Sequence, residues 1–201
     1  MLPTFIPGLE LSRLFYQEAV KPILDSHFPN LKYSVALIGY GSGVLGFDTD
    51  MSSDHHWGPR AMLFLLEADR ALYCDAVREV MSYQLPLHFL GFPTNYAPSS
   101  SDPPEHGVLT LRDTNTHPIC HRVEMYTLRK FFLDYLDFDL DKEIEPADWL
   151  TFPEQKLRTL TSGAVYHDGV GLQRVRDRFA YYPHDVWLYL LAAGWTRIRQ
   201  D

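Results

Sequence analysis

Residues 33–43 read YSVALIGYGSG, a short apolar run followed directly by a glycine-rich turn. The run is partly β-branched and lies between Pro29 and Gly41-Ser42-Gly43, which is typical of a strand. Successive positions are apolar without alternation, which is typical of strands that are buried on both faces of a sheet. The stretch therefore predicts a buried strand that ends at a sharp turn.

Helical and strand patterns flank this stretch on both sides. Residues 10–28 carry apolar side chains three and four positions apart, which predicts an amphipathic helix. Residues 61–66, AMLFLL, predict a second buried strand, and residues 69–83 have a helical pattern. This order of elements favours an α/β or an α+β fold.

The second half of the chain is more mixed. Residues 92–115 contain four prolines and predict a long surface excursion. Residues 119–126 alternate apolar and polar positions, which predicts a half-exposed strand with Glu124 on its polar face. We expect an α/β core over residues 1–145 and a helical C-terminal segment over residues 146–201. That segment ends in what looks like mid-helix, so either it is naturally short or its C-terminal helical part is missing.

Composition and charge exclude several classes of protein. The chain has 201 residues, 46% of them apolar, and a net charge of −8, so it is neither disordered nor suited to bind long duplex DNA. Its two cysteines form no CxxC pair, which favours a reducing cytoplasm. The N-terminus has no signal-peptide pattern, and no apolar run is long enough for a membrane helix. The sequence predicts a soluble cytoplasmic protein and leaves its oligomeric state open.

The turn after the first strand is a candidate phosphate-binding site. Glycine has no Cβ, so the backbone at Gly41 can approach a phosphate closely, and the Ser42 hydroxyl can donate to it. The spacing matches neither a P-loop nor a GxGxxG fingerprint. A plain tight turn without a ligand is the alternative interpretation.

Two carboxylates and a histidine are candidate metal ligands. Asp54 and His56 are two positions apart just before the second strand, so they point the same way if extended. Glu124 lies between two apolar residues on another predicted strand. If the three meet at a sheet edge, they would hold a divalent metal that bridges phosphate oxygens.

These motifs resemble the nucleotidyltransferase superfamily of the DNA polymerase β type, in which a Gly-Ser turn, an acidic pair and a third carboxylate form the site. The blocks at 37–48, 54–60 (DHHWGPR) and 181–187 (YYPHDVW) are similar, more closely, to an uncharacterised domain-of-unknown-function family of nucleotidyltransferase-like proteins. The resemblance implies an α+β fold with a mixed β-sheet flanked by helices and a helical C-terminal segment. It also implies transfer of NMP from an NTP such as ATP to a hydroxyl on a small molecule, RNA end or protein.

The resemblance also assigns roles to residues. Gly41 and Ser42 would hold the triphosphate, Asp54 and His56 would ligate Mg²⁺ or Mn²⁺, and Glu124 would be the third carboxylate. In that scheme Asp54 and Glu124 are the catalytic acids, since two metals clamp the attacking and leaving oxygens. A triphosphate also needs cations, for which Arg60, Arg129 and Lys130 are candidates. A surface ion pair is the alternative for each of them.

His56 departs from the family pattern, which has a second acid at this position. Imidazole binds Mg²⁺ poorly and suits Mn²⁺ or Zn²⁺ better. Asp48 and Asp50 would compensate if the loop folds back. Otherwise the chain binds nucleotide without transferring it. A third alternative is a metal-dependent phosphoesterase of the DHH type, because residues 54–56 spell Asp-His-His.

The C-terminal helical region is rich in aromatic residues. Its tyrosines and tryptophans either stack on a base or, as the more common role of such side chains, pack in the core. They are Tyr181, Tyr182, Trp187, Tyr189 and Trp195.

Overall fold

The computed structural model describes residues 4–49, 57–98 and 109–198. Its helices are α1 (Gly8–Phe15), α2 (Lys21–His27), α3 (Glu67–Gln84), α4 (Leu128–Leu136), α5 (Pro146–Thr151), α6 (Glu154–Thr161), α7 (Leu172–Asp177) and α8 (His184–Ile198). Its strands are β1 (Tyr33–Leu37), β2 (Arg60–Leu65), β3 (His88–Phe89), β4 (Phe92–Pro93), β5 (Tyr96–Pro98), β6 (Leu109–Leu111), β7 (Arg122–Thr127) and β8 (Ala164–Asp168).

Four of the strands form a mixed sheet in the order β7-β2-β1-β8. β1 is antiparallel to both β2 and β8, whereas β2 and β7 are parallel. The pairs β3–β4 and β5–β6 are separate two-stranded sheets. The structure confirms an α+β fold with a mixed sheet, flanking helices and C-terminal helices.

Helices cover both faces of this sheet. Val35 and Leu63 pack in a core with α1, α2 and α3, whereas Ala36 and Phe64 pack in a second core with helices α4 to α7. Successive residues of β1 and β2 therefore point into two different cores, and both strands are buried along their whole length. This double burial explains the uninterrupted apolar runs in the sequence.

Most predicted elements are confirmed, with three differences. The helix predicted over 10–28 comprises α1, a π-helical turn at Tyr16–Val20, and α2. The first strand ends at Leu37 instead of continuing to Tyr40, because Gly39 adopts a φ of +80° and turns the chain. The predicted surface excursion is wrong at its start, since Phe92 and Tyr96 are buried and two short strand pairs form there.

The C-terminal segment contributes to the same sheet and core as the rest of the chain. β8 pairs with β1, and Trp149, Leu160 and Phe179 pack in the core that contains Phe64. The interpretation of the aromatic residues as core is wrong for Tyr181 (87% exposed), Trp187 (49%), Tyr189 (61%) and Trp195 (70%), whereas Tyr182 packs against the core that contains Phe64. None of the helices in the described ranges is long and apolar enough to cross a membrane.

Candidate functional site

The candidate site lies at the end of the sheet where β1 finishes and β2 and β7 begin. β1 and β2 are antiparallel, so the Gly41 turn comes next to the first residues of β2. β2 and β7 are parallel, with Arg60 opposite Arg122 and Met62 opposite Glu124. The strand pairing therefore brings Gly41, Arg60 and Glu124 to one end of the sheet.

The Gly41 turn lies directly on the side chain of Arg60. Gly41 has a φ of +98°, and a Cβ at this position would lie 2.6 Å from Nη2 of Arg60. The same Nη2 donates a hydrogen bond to the carbonyl oxygen of Tyr40 at 2.8 Å. Arg60 is only 8% exposed, and burial lowers the pKa of its guanidinium. Through these contacts with Tyr40 and Gly41, the Arg60 side chain stabilises the turn.

Both carboxylate oxygens of Glu124 have partners on its own strand. Oε1 lies 2.7 Å from Nη2 of Arg122, and Oε2 accepts a hydrogen bond from the Tyr126 hydroxyl at 3.0 Å. Burial and the neighbouring Glu124 charge raise the pKa of Tyr126, so its hydroxyl stays protonated and donates. A metal ion at Glu124 would have to share this carboxylate with Arg122.

Two helices hold the turn from its other side. The Tyr135 hydroxyl on α4 donates to the Gly39 carbonyl at 3.0 Å and also bonds the Thr159 hydroxyl on α6. The Gly39 amide donates to the Thr159 carbonyl at 2.9 Å. The ring of Tyr40 packs edge-on against that of Tyr135. The backbone before Gly41 is thus fixed by α4, α6 and Arg60 together.

The carboxylate of Asp48 bonds groups that help to hold α1 in place. Its Oδ2 accepts from the backbone amide of Gly8, at the start of α1, and lies 3.2 Å from Nε1 of Trp57. A carboxylate at this place satisfies a free amide of the helix N-terminus and complements the helix dipole. Oδ2 of Asp48 is therefore engaged in holding the N-terminus of α1.

Asp54, His56 and Asp50 lie outside the described residues, so their distances to Glu124 stay a prediction. Ser42 begins a short 3₁₀ helix, Ser42–Leu45, that directly follows Gly41. Within the described part of the chain, no three His, Cys, Asp or Glu side chains lie close enough to hold a metal ion. A metal site with three protein ligands at Glu124 would therefore need ligands from outside the described residues, where Asp54 and His56 lie.

Arg129 and Lys130 lie away from the turn, in the first turn of α4. Arg129 pairs with Asp141 at 2.9 Å, and Lys130 pairs with Asp134 at 2.8 Å. α4 begins at the carboxyl end of β7, whereas the Gly41 turn is near its amino end. The strand pairing does not bring these two cations to Gly41.

Comparison with known proteins identifies one similar region. Residues 149–201 match a family described as a domain of unknown function (DUF4037). The match includes β8 and helices α6, α7 and α8, and it excludes Gly41, Arg60 and Glu124. No curated protein and no solved structure matches the chain.

Sequence reasoning missed Arg122, Tyr126 and Tyr135 at this site. The alternation over 119–126 placed Arg122 on the same face as Glu124, so this pairing was available from the pattern. Tyr126 is the next residue on that face, so its contact with Glu124 could also be predicted from the alternation. Tyr135 had no such signal, because its contact with Gly39 joins residues 96 positions apart.

Proposed function

We propose that this chain is a metal-dependent nucleotidyltransferase that moves NMP from an NTP to a hydroxyl acceptor. The observation that carries the proposal is the meeting of the Gly41 turn with Arg60 and Glu124 at one end of a mixed sheet. Gly41 and Ser42 would bind the triphosphate, while Asp54, His56 and Glu124 would hold Mg²⁺ or Mn²⁺. The metal supplies charge neutralisation at the attacking and leaving oxygens.

The local charge supports an anionic substrate. Arg60 and Arg122 are directly opposite on neighbouring strands, and burial together with the charge of Arg122 lowers the pKa of Arg60. Glu124 is the carboxylate that offsets this pair. An incoming polyphosphate would stabilise two close guanidinium groups in a protein that is acidic overall.

A second candidate is a protein that binds the nucleotide without transferring it. The observation that favours it is the engagement of both Glu124 oxygens, by Arg122 and by Tyr126. Together with His56 in place of an acid, this leaves a weaker set of ligands for Mg²⁺. Mn²⁺ would tolerate the imidazole better.

Calorimetric titration with each NTP in Mg²⁺ or Mn²⁺, followed by a pyrophosphate assay with short RNA and a cell extract as sources of hydroxyl acceptors, tests these candidates. Nucleotidyl transfer predicts binding and pyrophosphate release, with Mn²⁺ more effective than Mg²⁺. Binding without pyrophosphate would select the second candidate. Absence of NTP binding, with hydrolysis of simple phosphodiesters, would select the DHH-type phosphoesterase instead.

A further inference from the structure

Tyr96, the first residue of β5, lies beside the amino ends of β2 and β7. It is only 2% exposed, and its amide donates to the Cys120 carbonyl at 2.8 Å, two residues before β7 begins. Its hydroxyl donates to the carbonyl oxygen of Pro59 at 3.3 Å, directly before β2 begins. Tyr96 therefore contacts the segments that lead into both strands that carry the arginines of the proposed site.

The hydroxyl of Tyr96 packs against a backbone turn at Gly58. It lies 3.3 Å from the carbonyl oxygen of Pro59 and 3.5 Å from that of Trp57, the residues on either side of Gly58. Gly58 has a φ of +129°, and a Cβ there would lie 2.5 Å from the same hydroxyl. The turn thus contacts the tyrosine directly, and the hydroxyl helps to fix the backbone that leads into Arg60.

The ring of Tyr96 contacts the second arginine. The guanidinium carbon of Arg122 lies over this ring, 5.6 Å from its centroid, which is within the range of a cation–π interaction. The same guanidinium lies 2.7 Å from Oε1 of Glu124. Arg122 is therefore held by an aromatic ring as well as by a carboxylate.

The hydroxyl of Tyr96 stays a donor in this cationic environment. Burial raises the pKa of Tyr96, whereas the nearby charges of Arg60 and Arg122 act in the opposite direction. The net shift is upward, so the phenol remains neutral and keeps its proton for the carbonyl groups around Gly58.

We infer that Tyr96 is a positioning residue that holds Arg60 and Arg122 at the separation at which both meet a triphosphate. Hydrogen bonds from guanidinium groups to phosphate oxygens are short and directional, so their strength depends on where the donors lie. Two close guanidinium groups also repel each other, and the contacts with Tyr96 oppose that repulsion. The inference rests on the proposed function, which supplies the triphosphate.

Two variants separate the hydroxyl of Tyr96 from its ring. Tyr96→Phe removes the hydroxyl alone, whereas Tyr96→Leu removes the ring as well. Calorimetric titration of the full chain with inorganic tripolyphosphate in Mn²⁺ measures the dissociation constant without any requirement for turnover. We expect the Kd to rise about 3-fold in Tyr96→Phe and about 10-fold or more in Tyr96→Leu, given the usual contributions of a hydrogen bond and a cation–π contact.

Tyr16→Leu is the matched control. Tyr16 is also 2% exposed, and its hydroxyl lies 3.5 Å from that of Tyr33, which is opposite Leu65 at the carboxyl end of β2. This variant loses a buried tyrosine at the other end of the sheet. Loss of folded protein lowers the binding stoichiometry and leaves the Kd unchanged, so we expect the Kd of Tyr16→Leu to equal that of wild type.

The contact between Tyr96 and Arg122 also has a spectroscopic signature. An aromatic ring shields protons that lie over its face, so the side-chain NMR resonances of Arg122 should move downfield in Tyr96→Leu. They should keep their positions in Tyr96→Phe, which retains the ring. This measurement needs neither a ligand nor a metal.

The outcomes separate this inference from the proposed function. A wild-type protein that binds neither NTP nor tripolyphosphate would overturn both. Wild-type binding with an unchanged Kd in both Tyr96 variants, or an equal loss of affinity in Tyr16→Leu, would overturn the inference and leave the proposed function standing. Arg122 resonances that do not move in Tyr96→Leu would also overturn the inference alone.

Discussion

Gly41 is the residue on which the proposed site depends most directly. Its left-handed φ and the guanidinium of Arg60 leave no space for a Cβ. Gly46, in the same loop, also has a positive φ, +69°, but a Cβ there would meet no atom within 4 Å. Alanine at Gly46 would therefore add backbone strain alone, whereas alanine at Gly41 would add the strain and a steric clash with Arg60.

Gly41→Ala should lower the free energy of unfolding by about 2–4 kcal/mol, since it adds a clash to the φ strain. Gly46→Ala should cost only about 1–2 kcal/mol, because it adds the strain alone. Urea unfolding of both variants gives the comparison. Equal losses would show that Arg60 does not constrain the turn.

His121 lies half-buried between β7 and α3, where neutral imidazole fits its partners. Its Nδ1 accepts from the Val123 amide at 3.1 Å, so its Nε2 donates to the Arg78 carbonyl at 3.1 Å. Burial lowers the pKa of His121 from its ordinary value of 6.5. The unfolded chain consequently binds this proton more strongly than the folded one.

The contribution of His121 to stability should be complete above about pH 6.5 and decline as the pH falls through the lower folded-state pKa. His121→Asn keeps an acceptor for Val123 but does not titrate, so its free energy of unfolding should fall less between pH 7.5 and 5 than that of wild type. Urea midpoints across that range measure the difference. Parallel curves for the two proteins would contradict the assignment.

At the scale of elements, the turn is held because α4 and α6 meet at it. The Tyr135 hydroxyl bonds both Gly39 and Thr159, which belong to different parts of the chain. The ring of Tyr135 also stacks on that of Phe131. Loss of the hydroxyl alone would therefore leave the packing in place and break the polar link.

Tyr135→Phe should reduce the free energy of unfolding by about 1–2 kcal/mol, because it leaves buried acceptors without their donor. Tyr181→Phe, at a site that is 87% exposed, should change it by less than about 0.5 kcal/mol. Chemical denaturation measures both. A Tyr135→Phe variant as stable as the control would show that the Tyr135 hydroxyl does not help to hold the turn.

The elements differ in how well sequence predicts them. The strands β1 and β2 were predictable because double burial makes them apolar throughout, and the alternation of β7 correctly assigned Val123 and Glu124 to opposite faces. The pairing of β8 with β1 was not, since its register joins residues some 130 positions apart and depends on packing. Local pattern also could not show that Arg60 is buried while Arg129 is paired at the surface.

At the scale of the whole molecule, the C-terminal segment completes the sheet and one of its two cores. β8 covers the edge of β1, and Leu160, Leu172 and Phe179 pack with Ile38 and Phe64. Without these residues β1 would be an open edge, and one face of the sheet would lose much of its apolar cover.

A fragment of residues 1–145 should therefore lack a cooperative unfolding transition, whereas the full chain should show one. Thermal denaturation followed by circular dichroism compares the two. A fragment that unfolds cooperatively near the wild-type melting temperature would show that residues 1–145 form an independent domain.

An assay of nucleotidyl transfer is the most direct test of the proposed function. The chain is incubated with α-labelled NTP, Mn²⁺ or Mg²⁺ and hydroxyl acceptors, namely short RNA and a cell extract that supplies small molecules and proteins. Labelled acceptor or labelled chain is compared among wild type, Asp54→Asn, Glu124→Gln and the control Glu143→Gln, which alters an exposed acid. We predict transfer by wild type and Glu143→Gln, with a loss of about 100-fold or more in the other two variants. No transfer by any protein, or transfer that survives both Asp54→Asn and Glu124→Gln, would contradict the assignment.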